Sequence, residues 1–241
     1  MNQIINDSTM ERPLNEPNLI LQLVFNLVED AIRPLSGPGG VFLRRAYYTR
    51  RLKRCGSNLV IAPGVTIENP QFVSFGDWVW LDRNVIILAG AANQTERLKI
   101  VENPNCIAAP GEVVIGSRCH LSIGCVIQGH GGVSIGERFS GGTGCLIYSL
   151  SNALYSNKCG PIVAAAPELE RVRTPVAIAD NVWLGINSIV IGNTIDNDSY
   201  VRPYSVVTGD IPANSIATGS PARVERFRYR ADEAGTQKDS P

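Results

Sequence analysis

Two histidines, His120 and His130, are the only imidazoles among the 241 residues, and they bound the chemistry open to the chain. Imidazole has the side-chain pKa nearest neutrality, so either ring could take a proton from a reacting hydroxyl. Two are too few for a three-histidine zinc site. Six cysteines form no CxxC pair and no Cys/His pair at ligand spacing, so no metal is expected. Cys119, Cys125 and Cys145 lie in apolar stretches and read as small core residues. Arg44, Arg45, Arg50, Arg51, Lys53 and Arg54 form a basic run without an acid. It fits a solvated helix face capping the rest of the fold, or contact with anionic lipid or a phosphorylated carrier.

The composition excludes several classes. Lys+Arg 22 against Asp+Glu 22 leaves no net charge, and with charged residues at 18% there is no electrostatic footprint of a nucleic-acid binder. At 44% hydrophobic the chain folds rather than staying disordered. Gly 23 and Pro 15 beside only 7% aromatics favour tight corners and an aliphatic interior. The apolar run from Leu19 to Val28 is broken by Gln22 and Asn26 and is about half the roughly 20 residues of a membrane span. No signal peptide opens the sequence, so a reducing cytoplasm is the expected compartment, with peripheral membrane contact through the basic run as the variant.

The elements that must position these residues repeat with period six. Ile61, Ile67; Phe75, Leu81, Ile87; Ile115, Leu121, Ile127; Ile135, Gly141, Ile147; Ile178, Leu184, Val190; and Ile195, Val201, Val207 step by six within each group, and only Gly141 is not apolar. Small or β-branched residues, such as Val65, Val79, Cys125, Ser188 and Ser205, recur four places later. Neither a helix nor a hairpin meander has this period; a solenoid does, with one short strand and a corner per hexad. Seventeen hexads at three per turn predict roughly six coils. The step lengthens to eight after Ile67 and after Ile127, and two long interruptions, 92–112 and 148–175, are expected to be ejected loops carrying function. Upstream, Asn18 to Ile32 and Val41 to Arg54 are predicted helices, with Pro34 to Gly40 between them. The organisation is therefore a helical segment over 1–54, a solenoid over 55–228 and a disordered tail over 229–241.

Three stretches, Val73-Ser-Phe-Gly-Asp-Trp-Val-Trp80, Val176-Ala-Ile-Ala-Asp-Asn-Val-Trp-Leu-Gly-Ile-Asn187 and Ala217-Thr-Gly-Ser-Pro-Ala-Arg223, resemble the hexapeptide-repeat acyltransferases, in particular the sugar O-acetyltransferase branch of maltose, galactoside and capsule acetyltransferases. The resemblance covers about 55–228. It implies an all-β solenoid, a left-handed parallel β-helix, assembled as a homotrimer with active sites between subunits. Acetyl-CoA is the implied donor and a sugar or glycan hydroxyl the acceptor. Chemically, such transfer needs a base at the hydroxyl, a donor for the oxyanion and a slot for pantetheine.

In that family the base is a histidine where the chain leaves the repeats, in patterns like Ser-Leu-Ser-Asn-His. The corresponding run is Ser149-Leu-Ser-Asn-Ala153, so Ala153 stands at the base position beside Ser151 and Asn152. Three readings follow: a deliberate substitution, a naturally inactive homologue that binds or scaffolds, or a relocated base. In the first the enzyme is crippled as written. For relocation only His120 and His130 exist. His120 sits at an outward place and reads as a solvated surface residue; His130, in Gln128-Gly-His-Gly-Gly132, reads as a substrate contact, a turn residue or a base. Asp82 and Asn84 are acceptor-side candidates that also fit corners. The resemblance puts Trp183 and Gly185 beside the thioester, amides near Ser205 and Gly219 on pantetheine, Pro221 at the chain exit and Arg223 toward the CoA phosphates. Trp183 by itself reads as an unpaired exposed ring.

Overall fold

The structure, a computed structural model, describes residues 19–90, 97–152 and 170–229. Each hexad is a strand of two or three residues, and successive strands turn through about a third of a coil. Three parallel sheets result, each taking one strand from every coil of a left-handed β-helix. The first sheet runs from Arg54–Cys55 to Thr194–Ile195, the second from Val60–Ile61 through Tyr200–Val201, and the third from Thr66–Glu68 to Val206–Val207. Six complete coils stack, as the hexad arithmetic predicts. The second sheet continues into Ser215–Gly219, which an antiparallel strand, Ala222–Phe227, folds back upon.

The core is the hexad pattern itself. All sixteen apolar hexad residues are at most 3% exposed. At Gly141, the one gap in the pattern, the space is filled sideways: a Cβ there would lie 3.2 Å from the ring of Phe139, itself buried. Corners need left-handed backbone, and one row of them is Asn58, Trp78, Arg118, Arg138, Asn181 and Asp198, all at φ between 54° and 61°. Asn and Asp tolerate this conformation; Trp78 and Arg118 hold it at a cost of about 1–2 kcal/mol each.

The helices differ from expectation at their ends. α1 spans Leu19–Ile32, and α2 spans Gly37–Thr49 rather than Val41–Arg54. Pro38 falls in the first turn, where its fixed φ is already helical and no N–H is required, so the supposed linker begins the helix. At the other end Lys53 N–H donates to Val73 O, and Arg54–Cys55 opens the first sheet. The basic run is divided by this packing. Arg44 is fully buried and donates to the carbonyls of Ile61, Ile32, Arg33 and Leu35, while Arg51 lies over the rings of Phe25 and Tyr47. Arg44 is therefore a staple between helices and solenoid, and no part of a lipid-facing surface. Among the described residues no helix is long and apolar enough to cross a membrane.

The two interruptions are not simply loops. Arg97–Ile100 from the first pairs in parallel with Glu170–Arg173 from the second, which pairs antiparallel with Leu150–Asn152. This three-stranded sheet stands off the prism. At the other end Arg228 and Tyr229 still bond to Asn214, so the solenoid reaches one residue past the expected boundary; the rest of the predicted tail lies outside the described residues.

Candidate active site

In the second sheet the residue before each inward aliphatic faces outward. Its register pairs Val60 with Trp80, Trp80 with His120, His120 with Ser140, Ser140 with Trp183 and Trp183 with Tyr200. From Trp80 to Tyr200 one face of the prism thus carries an unbroken stripe of rings and hydroxyls, one residue per coil and about 4.8 Å apart.

Toward the early coils the stripe opens into a pocket of about 750 Å³ lined by Trp78, Trp80, Asp82, Arg118, Cys119 and His120. The Trp80 indole N–H donates to Asp82 Oδ1 at 3.0 Å, and His120 Nε2 lies 3.0 Å from Asp82 Oδ2. The Trp80 and His120 rings meet edge to face with centroids 6.3 Å apart. His120 is half-exposed at its outward position, and it is held by a carboxylate that is itself held by an indole. The signal was present in Trp80-Leu81, His120-Leu121 and Trp183-Leu184, where each residue precedes an inward Leu. Burial pushes the Cys119 thiol up to about 11, so it stays protonated at neutral pH and is no nucleophile.

The other acceptor-side candidates are corner and turn residues. Asn84 has φ 59°, and its Oδ1 reaches so close to the preceding coil that a Cβ on Gly64 would lie 2.0 Å from it. His130 Nδ1 lies 2.8 Å from Gly90 O, and since a carbonyl only accepts, that nitrogen carries the proton. His130 belongs to a turn whose Gly131 N–H donates to Ser149 Oγ, while Ser149 Oγ donates to Gln128 O and Leu150 N–H to Gln128 Oε1. Ser149, fully buried, roots the second interruption, a role that the run Ser149-Leu-Ser-Asn-Ala153 does not announce. Ser151 and Asn152 follow it in the stand-off sheet, paired with Val172 and Arg171. Ala153 lies outside the described residues.

On the later coils Trp183 is 48% exposed but not unpaired: its ring lies on that of Tyr200, centroids 4.7 Å apart. Gly185 packs against the next coil, where a Cβ would lie 2.4 Å from Pro203 N. The Gly219 amide, expected to serve a ligand, donates instead to the buried Ser205 Oγ at 3.1 Å. Pro221 and Arg223 are exposed at the turn of the final hairpin, on the same sheet as Trp183. Among the described residues no three His, Cys, Asp or Glu side chains converge as a metal site.

No family model matches the chain. A putative acetyltransferase of Saccharomyces cerevisiae is 28% identical over 186 residues, spanning 77% of this chain and 71% of that protein. Galactoside O-acetyltransferase of Escherichia coli is 43% identical over 53 residues, 22% of this chain and 26% of that enzyme. Among solved structures, an N-acyltransferase of Bacillus cereus, as a variant in complex with dTDP and coenzyme A, is 19% identical at TM-score 0.65, covering 79% of this chain and 92% of its own. A hexapeptide-repeat acetyltransferase of Vibrio cholerae complexed with acetyl-CoA is 20% identical at TM-score 0.52, covering 90% and 92%. In sequence the chain is related to acetyltransferases, and its fold is the left-handed β-helix of the hexapeptide-repeat acetyltransferases.

Proposed function

We propose that the chain is an acetyl-CoA-dependent acetyltransferase whose acceptor is a hydroxyl of a sugar or glycan, with the cofactor lying along the later coils of the second sheet. The observation that carries this reading is the half-exposed Trp183–Tyr200 ring pair on a face that leads to Arg223 in one direction and to the Trp80 pocket in the other. The rings offer a platform for pantetheine, and the Arg223 guanidinium suits phosphate. The acetyltransferase relatives support the donor; a variant of the same Bacillus cereus N-acyltransferase in complex with dTDP-4-amino-4,6-dideoxyglucose and coenzyme A supports a sugar-type acceptor. Replacing Trp183 by Ala removes stacking area worth about 1–3 kcal/mol, so CoA affinity measured by calorimetry should fall roughly tenfold to a hundredfold. Unchanged affinity would place the ring outside the site.

The absent imidazole at position 153 favours a second reading, a β-helix that binds partners without catalysis. The two part on CoA itself, since a scaffold needs no thioester slot. Under the first reading the exposed flank is covered by another copy under closed symmetry, and the family resemblance makes that assembly a trimer. Light scattering should give three copies of the 26.0 kDa chain, and a mass near one copy would contradict this assembly.

A further inference from the structure

The Asp82–His120 pair stands on the same outward face as Trp183, and nothing in the fold requires it. It spans two coils that are already joined by backbone pairing, and both carboxylate oxygens have defined partners, Trp80 Nε1 and His120 Nε2. A carboxylate only accepts, so Nε2 carries the hydrogen and Nδ1 of the neutral ring carries the lone pair. Between His120 and Trp183 the stripe has only Ser140, which leaves a notch one small side chain deep. At about 4.8 Å per coil the two rings stand roughly 10 Å apart, room for a thioester on one side and an acceptor on the other. On the other side of His120, toward the early coils, Trp78 and Arg118, both held in left-handed backbone, wall the pocket that Trp80 and Asp82 also line.

We propose that His120 is the general base of acyl transfer, oriented by Asp82 as a positioning residue, and that the acceptor enters the pocket walled by Trp78 and Trp80. This rests on the acetyltransferase reading above. His120 Nδ1 takes the proton of the acceptor hydroxyl as its oxygen bonds to the thioester carbonyl carbon. The tetrahedral intermediate collapses with cleavage of the C–S bond, and the imidazolium returns the proton to the CoA thiolate. The products are one ester and one free thiol, and the ring ends neutral. No imidazole at 153 is then needed.

The test uses the full chain, with acetyl-CoA consumption followed against methyl glycosides of glucose, galactose and mannose and against water alone. CoA affinity is measured in parallel. His120→Ala should lower kcat by about 10²–10⁴ with CoA affinity unchanged, and added imidazole should restore part of the rate. Asp82→Asn should lower kcat without moving the KM for acetyl-CoA, and Asp82→Glu should recover part of it. Ala153→His should change the wild-type rate by less than about tenfold, because the proton acceptor is already in place. Wild-type rate in His120→Ala, loss without imidazole rescue, or a rise of about 10² or more in Ala153→His would each overturn the proposal. So would a chain that binds CoA yet consumes acetyl-CoA with neither sugar nor water. Failure of the wild type to bind CoA at all would instead overturn the acetyltransferase reading.

Discussion

Arg44→Ala should lower the free energy of unfolding by about 3–5 kcal/mol, the range for breaking a buried hydrogen-bonded charge network. The guanidinium is fully buried, and its Nε and Nη1 donate at 2.7 to 3.3 Å to carbonyls from the end of α1, the linker and the first coil. Truncation removes every one of these bonds and leaves a void between the helices and Ile61. Arg44→Lys keeps the charge but reaches fewer carbonyls with one ammonium, so it should fall between wild type and Ala. Urea unfolding of the three forms checks the order. A loss under about 1 kcal/mol in the Ala form would mean that desolvation of the buried cation nearly cancels its bonds.

Gly185→Val should cost about 3 kcal/mol, the upper end for forcing side-chain volume into a packed interior. An added Cβ would meet Pro203 N at 2.4 Å and Pro203 Cδ at 2.7 Å, so the last full coil must move away from its neighbour. Trp183 and Tyr200 sit on those same two coils, and their stacking should loosen with the shift. Thermal unfolding and CoA affinity should therefore decline together. A Gly185→Val protein as stable as wild type but unable to bind CoA would show that the glycine serves the ligand alone, as the sequence resemblance suggests.

The coil count was legible in the sequence because every strand turns its hexad residue inward, and that residue must be apolar whatever surrounds it; strands of the first sheet, such as Val73–Phe75 and Val113–Ile115, bury a second apolar residue as well. Even the exception at Gly141 follows the rule, since Phe139 supplies the missing volume from two residues away. The pairing of Arg97–Ile100 with Glu170–Arg173 was not legible: the segments lie far apart in sequence and carry no six-residue signal. Arg44 was misread for a different reason. Its charge suggested solvent, while its burial depends on carbonyls at helix and coil ends that no local pattern announces. For His120, the hexad position gave the outward direction, but the partner Asp82 lies 38 positions earlier, across the first interruption. Only the stacking of coils brings the two together.

The closing hairpin has a consequence for solubility. A stack of near-identical coils ends in an open β edge, and an open edge is a template onto which further chains can add. On the second sheet that edge is occupied by Ala222–Phe227, an exposed strand bearing Arg223, Glu225 and Arg226, with Glu225 fixed by an ion pair to Arg202 at 3.0 Å. A like strand arriving there meets charge and a reversed direction in place of the parallel register that built the prism. The molecule thus ends its own ladder, and end-to-end growth into fibrils is blocked at this edge by the segment that completes the fold.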